Sequence, residues 1–217
     1  MVDADDLTAR LRAAWRDLCP YHPGLGERLL QRWSEPHRHY HTPTHLAAVL
    51  AAVDRLAEPH HDRELVALAA WYHDAVYDLP PDPLGNEEAS ARLAETELAP
   101  VLGPQRAGEV ARLVRVTSEH RVDAHDHDAA LLCDADLAVL AGDPADYRTY
   151  AEAVRREYRE VPEADFRAGR ARILDALLAE PLFRTARGRE LEPAARRNLA
   201  AEIAELRSGS GAGEPTD

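Results

Sequence analysis

Apolar residues recur at spacings of three and four along almost the whole chain, and no run alternates between apolar and polar residues. A spacing of three and four places side chains on one face of an α-helix, whereas a half-buried strand needs strict alternation. Alanine, leucine, glutamate and arginine dominate these segments and are strong helix formers. The sequence therefore predicts an all-α fold.

Proline, glycine and capping residues interrupt the periodic segments and mark their ends. We expect helices at 4–18, 24–34, 43–57, 62–78, 86–98, 104–118, 127–141, 144–160, 163–179 and 193–207. These segments share one composition, which predicts a single domain over residues 1–207. Residues 208–217 have no apolar anchor, which predicts a disordered tail.

The charged residues exclude several classes of function. All 26 basic residues are arginine, so the chain lacks the lysine of a P-loop or of Schiff-base chemistry. The formal charge of −13 argues against nucleic-acid binding, which needs a broadly basic face. Charged residues interrupt the N-terminus, and no run of about 18 apolar residues occurs, so we expect a cytoplasmic protein without a membrane span. Its oligomeric state stays open.

A histidine-aspartate doublet, His73-Asp74, follows an apolar run over residues 65–72. We expect this doublet to be buried within the helix predicted over 62–78. Burying a carboxylate costs several kcal/mol unless a cation or strong hydrogen-bond donors compensate. Metal ligation is therefore the favoured explanation of the doublet.

Two other apolar helices carry residues of the same kind. His45 lies in the first turn of the helix predicted over 43–57, and Asp134 and Asp136 lie in the helix predicted over 127–141. Because these aspartates are two residues apart, at most one is expected to face a site. Imidazole with carboxylate ligands suits one divalent transition metal, Mn, Fe, Co, Ni or Zn, with Mg as the alternative. The two cysteines are too few for a cysteine-rich site.

The order of His45, His73-Asp74 and Asp136 resembles the HD-domain superfamily, which is defined by a histidine, a later His-Asp doublet and a further aspartate. The Ala-Asp-Leu context favours Asp136 over Asp134. The segments HRHYHTPTHL, AAWYHDAVYD, GNEEAS, TSEH and VRREY are similar to a bacterial subgroup described as predicted metal-dependent HD phosphohydrolases. The resemblance implies an HD-type helical bundle, one metal ion on these four residues, and hydrolysis of a phosphate ester or anhydride, with a nucleotide as the expected substrate.

Four residues near the predicted ligands are candidates for catalysis. Asp78 comes one turn after Asp74 in the predicted helix and therefore lies on the same helical face. There it could act as the general base. Glu87 and Glu88 begin a helix and could lie over the metal, or could only stabilise the helix dipole. His120 is a candidate phosphate donor, leaving-group acid or ligand of a second metal, with a structural role as the alternative.

A small phosphate-containing substrate needs a cationic partner. Half of the arginines lie in residues 148–207, where they outnumber the acids. Arg155, Arg156 and Tyr158 are candidates for substrate binding. One of the two arginines is expected to bind the phosphate, because a guanidinium group matches its oxygens. His41, four residues before His45, is a further candidate for substrate binding.

Three alternatives remain open. Some HD-domain relatives hold two irons through additional histidines and oxidise small molecules, but residues 75–119 contain no histidine, so a carboxylate would have to serve. A non-catalytic nucleotide-binding module and a helical scaffold with structural histidines are the others. Three further His-Asp doublets begin at His61, His125 and His127, and their lack of apolar flanks predicts surface positions outside the site.

Overall fold

The computed structural model describes residues 4–80 and 83–208, and over these residues it contains ten α-helices and no strand. The predicted all-α class is confirmed. The helices are α1 (Ala4–Leu18), α2 (Pro23–Trp33), α3 (Pro43–Leu56), α4 (Arg63–Tyr72), α5 (Asn86–Leu102), α6 (Pro104–Val116), α7 (His127–Leu137), α8 (Pro144–Glu157), α9 (Glu163–Ala179) and α10 (Glu192–Ser208). Two short 3-10 helices cover Ala138–Ala141 and Gly188–Glu190.

One predicted helix differs substantially from the observed one. The segment predicted as a single helix over 62–78 ends its helical part at Tyr72, and His73 and Asp74 form a turn after it. At the C-terminus, α10 extends to Ser208, and the rest of the predicted tail, residues 209–217, lies outside the described residues.

The chain divides into two compact units, one within residues 1–136 and the other within residues 137–217. The single domain predicted over residues 1–207 stays a prediction, since a domain is defined by independent folding and not by such a division alone. In the described part of the chain, no helix combines the length and the apolar character needed to cross a membrane.

In the unit within residues 1–136, α4 packs against α3, α5 and α6, and α1 packs against α2 and α3. Its core contains three fully buried tryptophans, and the indole N–H of Trp33 donates to the carbonyl of Trp71 at 3.0 Å. A Cβ atom at Gly26 would lie 2.4 Å from the ring of Trp15. Glycine is therefore required where α2 meets this tryptophan.

Helix α7 is buried along most of its length, from Ala129 to Ala135. Its N-terminus is held by Asp126, which accepts from the Ala129 N–H at 3.2 Å and pairs with Arg112. A carboxylate in this position satisfies a free N–H of the first helical turn. The aspartate of this second doublet therefore has a structural role.

The other two doublets also have structural contacts. Asp62 caps α4 through the Leu65 N–H and pairs with Arg106, and Asp128 accepts from the Asp62 N–H at 2.9 Å. His125 and His127 are exposed, as predicted. The predicted surface position of His61 is wrong, because this side chain is buried, with the Glu58 N–H donating to its Nδ1 at 2.8 Å.

The unit within residues 137–217 has its own core, in which α9 and α10 pack together and α10 packs on the first 3-10 helix. The core includes Leu140, Leu174, Phe183 and Leu199. The side-chain amide of Asn198 donates to the carbonyls of Leu140 and Gly142 at 2.9 and 2.8 Å. These bonds join the start of this unit to its last helix.

Candidate metal centre

Three side chains from three separate helical segments converge at one point of the unit within residues 1–136. His45 comes from the first turn of α3, His73 from the residue after α4, and Asp136 from the last turn of α7. The two Nε2 atoms are 3.3 Å apart, and Asp136 Oδ1 lies 3.2 Å from His45 Nε2 and 3.5 Å from His73 Nε2. Both histidines are buried. The three residues could together hold a metal ion.

Asp74, the fourth predicted ligand, lies at the edge of this group. Its Oδ2 is 3.1 Å from His73 Nε2 and 3.8 Å from His45 Nε2. Donors about 2.1 Å from one ion would be roughly 3.0–3.4 Å apart where they are neighbours. The three converging donors, 3.2 to 3.5 Å apart, lie close to this spacing, whereas Asp74 lies within it of His73 alone.

The ring of His73 is oriented for ligation. Its Nδ1–H donates to the carbonyl of Ala70 at 2.8 Å, which turns Nε2 towards the other donors. The ring of Trp33 packs beside both imidazoles, with centroid distances of 6.1 Å to His45 and 5.4 Å to His73. A hydrogen bond on the second ring nitrogen is typical of metal-binding histidines, because it fixes both tautomer and orientation.

The pKa values of the two histidines and the two aspartates shift in different directions. Burial alone would lower the pKa of His73, but the charge of Asp74 and hydrogen bonds to Asp136 and Asp74 raise it well above its usual value. Burial lowers the pKa of His45, against the opposing effect of Asp136. Burial would raise the pKa of both aspartates, yet the histidines hold both values well below the usual range. The raised pKa favours the protonated form of His73, beside the carboxylates of Asp74 and Asp136.

Tertiary contacts end α4 one residue before His73. Helical hydrogen bonding gives way to a tight turn, in which the Ala75 N–H donates to the Tyr72 carbonyl at 3.0 Å. The Val76 N–H then donates to Ser90 Oγ at 3.0 Å, and the Ser90 hydroxyl donates to the Val76 carbonyl at 3.2 Å. The helix predicted to reach residue 78 is wrong, because α5 supplies partners that replace its backbone bonds.

This turn also removes the reason for placing Asp78 on one helical face with Asp74. The Asp78 N–H donates to Asn86 Oδ1 at 3.1 Å, the Asn86 amide donates to the Asp78 carbonyl at 3.2 Å, and Asp78 is exposed. Its backbone is held by the start of α5. The role of Asp78 as general base stays a prediction, but the shared helical face on which it was based does not exist.

Glu87 and Glu88 lie in the first turn of α5, as predicted. Glu88 accepts from Arg115 at 2.6 Å and from Arg92 at 2.8 Å, and these bonds lower the pKa of Glu88 to about 2. Glu87 is half-buried. Glu88 is therefore already paired with arginines, which weakens the case for it as a proton acceptor.

Two further predicted histidines contact the aspartates of the group. His120 Nε2 lies 3.0 Å from Asp136 Oδ2, and His120 has a φ of 51°. Left-handed backbone is uncommon outside glycine and is often found at functional sites. His41 Nε2 lies 3.8 Å from Asp74 Oδ2, and its ring stacks on Tyr77 with centroids 4.0 Å apart. Both histidines are only partly exposed.

The predicted phosphate-binding arginines lie in the unit within residues 137–217. Arg155 donates to Glu163 at 2.9 Å and to the carbonyls of Tyr158 and Val161 at 2.6 and 3.1 Å. Arg156 is exposed, and Tyr158 is half-buried. Arg155 therefore closes the turn after α8, and Arg156 is the better candidate of the two for binding an anion.

Sequence reasoning missed the residues that support the ligands, above all Arg38, whose guanidinium group donates to the Asp74 and Ala75 carbonyls at 2.7 and 3.2 Å. The only signal was an arginine within the histidine-rich segment HRHYH. Asn86 and Ser90 lie in the segment GNEEAS, which belongs to the resemblance but did not indicate a supporting role. Comparison of the chain with protein-family models, with curated proteins and with solved structures gives no match.

Proposed function

We propose that this protein is a metal-dependent phosphohydrolase, which binds one divalent transition metal through His45, His73, Asp74 and Asp136 and hydrolyses a phosphate ester or anhydride. The convergence of two imidazoles and a carboxylate within 4.8 Å of one another carries the proposal. The resemblance to HD phosphohydrolases agrees with it, and a nucleotide is the substrate it suggests. Magnesium is the alternative metal.

The bound ion would acidify a coordinated water molecule and polarise a phosphoryl oxygen. The residues around it have separable tasks. Asp74 and Asp136 provide the negative charge that attracts a cation. The Ala70 carbonyl holds the His73 ring in the orientation that ligation needs.

His120 and His41 are the candidates for contact with the phosphate. An imidazole can donate a hydrogen bond to a phosphoryl oxygen or a proton to a leaving group. His120 contacts Asp136 through Nε2, and His41 lies near Asp74. We assign the leaving-group proton to His120, since its Nε2 lies 3.0 Å from the predicted ligand Asp136.

Glu87 is the preferred candidate for orienting the attacking water. Glu88 is engaged by two arginines, and the exposed Asp78 has lost its helical register with Asp74. Within residues 4–80 and 83–208, Glu87 forms no ion pair with an arginine. A carboxylate that is not already paired with a cation remains available as a proton acceptor.

A second candidate function has one observation in its favour. The two oxygens of Asp136 point to different partners, Oδ1 to His45 and His73 and Oδ2 to His120. A carboxylate that is shared in this way could bridge two ions, as the dinuclear-iron oxygenase alternative requires. Two irons per chain and oxygen consumption with a small organic substrate would support that alternative.

The test is a screen of nucleotides and simple phosphoesters with Mn²⁺, Co²⁺, Ni²⁺, Zn²⁺ or Mg²⁺, with phosphate release as the readout. We expect metal-dependent release by the wild type and none by Asp74→Ala. Asp126→Ala is the matched control, because it removes the aspartate of a His-Asp doublet that caps α7. Equal release by wild type and Asp74→Ala would identify a contaminating phosphatase. Nucleotide binding without turnover would favour the non-catalytic module.

A further inference from the structure

Arg38 is a buried cation whose donors are used on backbone groups. Its side chain is fully buried, and its guanidinium group donates to the carbonyls of Asp74 (2.7 Å), Ala75 (3.2 Å) and His41 (3.3 Å) and to the carboxylate of Glu35 (3.0 Å). Burying a guanidinium group is costly unless its N–H groups are paired. Here that cost is met by contacts with the chain segments next to the predicted metal ligands.

These contacts replace bonds that the helix can no longer make. The last carbonyls of a helix have no intrahelical partner, and the turn after α4 adds two more at Asp74 and Ala75. Arg38 satisfies both. Because a planar guanidinium group presents its donors in a fixed geometry, it also fixes the backbone that carries the Asp74 side chain.

The loop between α2 and α3 also contacts the segment that follows the His73-Asp74 turn. His37 Nε2 lies 2.7 Å from the carbonyl of Tyr77. The guanidinium of Arg38 lies over the rings of Trp33 and Tyr77, 5.6 and 5.5 Å from their centroids. Trp33 in turn packs beside His45 and His73. Arg38 thus contacts both the turn that carries Asp74 and the aromatic ring behind the two histidines.

We propose that Arg38 is a positioning residue of the metal centre, which holds the His73-Asp74 turn in the conformation that presents its side chains to the ion. This inference rests on the proposed metal site. Arg38 acts through the backbone, since its donors reach the carbonyl of Asp74 and not the carboxylate. Loss of Arg38 should therefore weaken metal binding although all four ligands remain.

A second arginine provides a matched control for a purely structural role. Arg196 donates to the carbonyls of Leu178 and Glu180 at 3.0 and 2.8 Å and to Glu192 at 2.6 Å. It thus satisfies carbonyls at the end of α9 as Arg38 does after α4. Arg196 belongs to the unit within residues 137–217, which contains none of the four predicted ligands.

The experiment compares the metal-stripped wild type with Arg38→Met, Arg38→Lys and Arg196→Met. Calorimetry gives the Co²⁺ affinity, the visible spectrum at saturating Co²⁺ reports ligand geometry, and thermal unfolding reports stability. We expect Arg38→Met to lose about 10- to 100-fold in Co²⁺ affinity, as supporting residues of metal sites do, and to show a changed spectrum. Arg196→Met should lower the melting temperature and leave affinity and spectrum unchanged.

Arg38→Lys keeps the charge and loses the planar fork, so a reduced affinity is expected for it as well. Wild-type affinity and spectrum in folded Arg38→Met or Arg38→Lys would overturn the positioning role. If both variants fail to fold, Glu35→Gln, which loosens the half-exposed partner of Arg38, decides by the same two readouts. Failure of the wild type to bind Co²⁺, Mn²⁺, Ni²⁺, Zn²⁺ or Mg²⁺ in the same calorimetry would instead overturn the proposed function.

Discussion

Each unit of this protein buries acidic side chains, and the two units neutralise them differently. In the unit within residues 137–217, Glu202 accepts from Arg170 at 2.9 and 3.2 Å and from the hydroxyl of Tyr147. Arg170 also donates to the hydroxyl of Tyr150 at 2.9 Å. This network contains its own permanent cation, and its polar groups are paired within the protein.

In the unit within residues 1–136, Asp74 and Asp136 have histidines as partners. Asp136 contacts His45, His73 and His120, and Asp74 contacts His73. An arginine is always charged, whereas an imidazole can lose a proton and then offer a lone pair. The arginine network can therefore only stabilise the fold, while the histidine group can exchange its proton for a metal ion.

Breaking the arginine network should have the largest effect, and it should affect stability alone. Arg170→Met leaves Glu202 buried without its cation, which we expect to cost about 3–5 kcal/mol in the free energy of unfolding. Urea denaturation measures this cost, and the double variant Arg170→Met/Glu202→Leu should recover part of it. Co²⁺ affinity should not change. A loss of affinity in parallel with stability would show that the two regions are not functionally separate.

Removing one carboxylate from the histidine group should instead affect metal binding. Asp136→Asn keeps the size of the side chain and removes a ligand charge, so we expect Co²⁺ affinity to fall by about 100-fold or more, beyond the loss typical of supporting residues. Calorimetry measures it. Asp126→Asn, near the other end of α7, is the control and should bind Co²⁺ like the wild type. Undiminished binding by Asp136→Asn would exclude Asp136 as a ligand.

The smallest expected effect is the pH dependence of metal binding. Burial lowers the pKa of His73, but Asp74 and Asp136 raise it well above its usual value. A metal ion that binds His73 must therefore displace the proton of its imidazole. Co²⁺ affinity should rise about tenfold per pH unit until the pH passes that raised pKa. In the metal-free protein the sign reverses. The stability that the proton contributes is complete below the unfolded pKa of about 6.5 and is lost as the pH rises through the raised value.

Titration calorimetry over a pH series measures this slope, and thermal unfolding of the metal-free protein measures the reverse trend. His61→Gln changes a buried histidine outside the predicted ligand set and should keep the slope of the wild type. A flat affinity profile would mean that His73 carries no proton for the metal to displace.

Much of this arrangement could be predicted from sequence because it depends on local patterns. The three- and four-residue periodicity was enough to place nine helices closely, since amphipathic spacing and capping residues are properties of neighbouring positions. Buried acids next to histidines were recognisable because an apolar segment rarely contains a carboxylate without a reason. The preference for Asp136 over Asp134 relied on the family resemblance, and the structure places Asp136 beside both histidines.

What failed depended on contacts between distant residues. The periodicity that continues through Ala75 and Tyr77 predicts helix to residue 78, but Ser90 and Asn86 supply partners to that backbone and end the helix early. The position of Asp78 changed with it. Glu88 was similarly predicted to lie over the metal as a catalytic candidate, whereas it pairs with Arg115, 27 residues away.

The sequence by itself therefore determined the all-α class and the ends of most helices, because these follow from residue type and spacing. The ligand set that it predicts also needed the family resemblance. Only the tertiary structure decided that the His73-Asp74 pair lies in a turn and that Arg38 supports it. The physical reason is that a backbone carbonyl without a helical partner accepts whichever donor the fold brings to it. Local sequence does not encode which donor that will be.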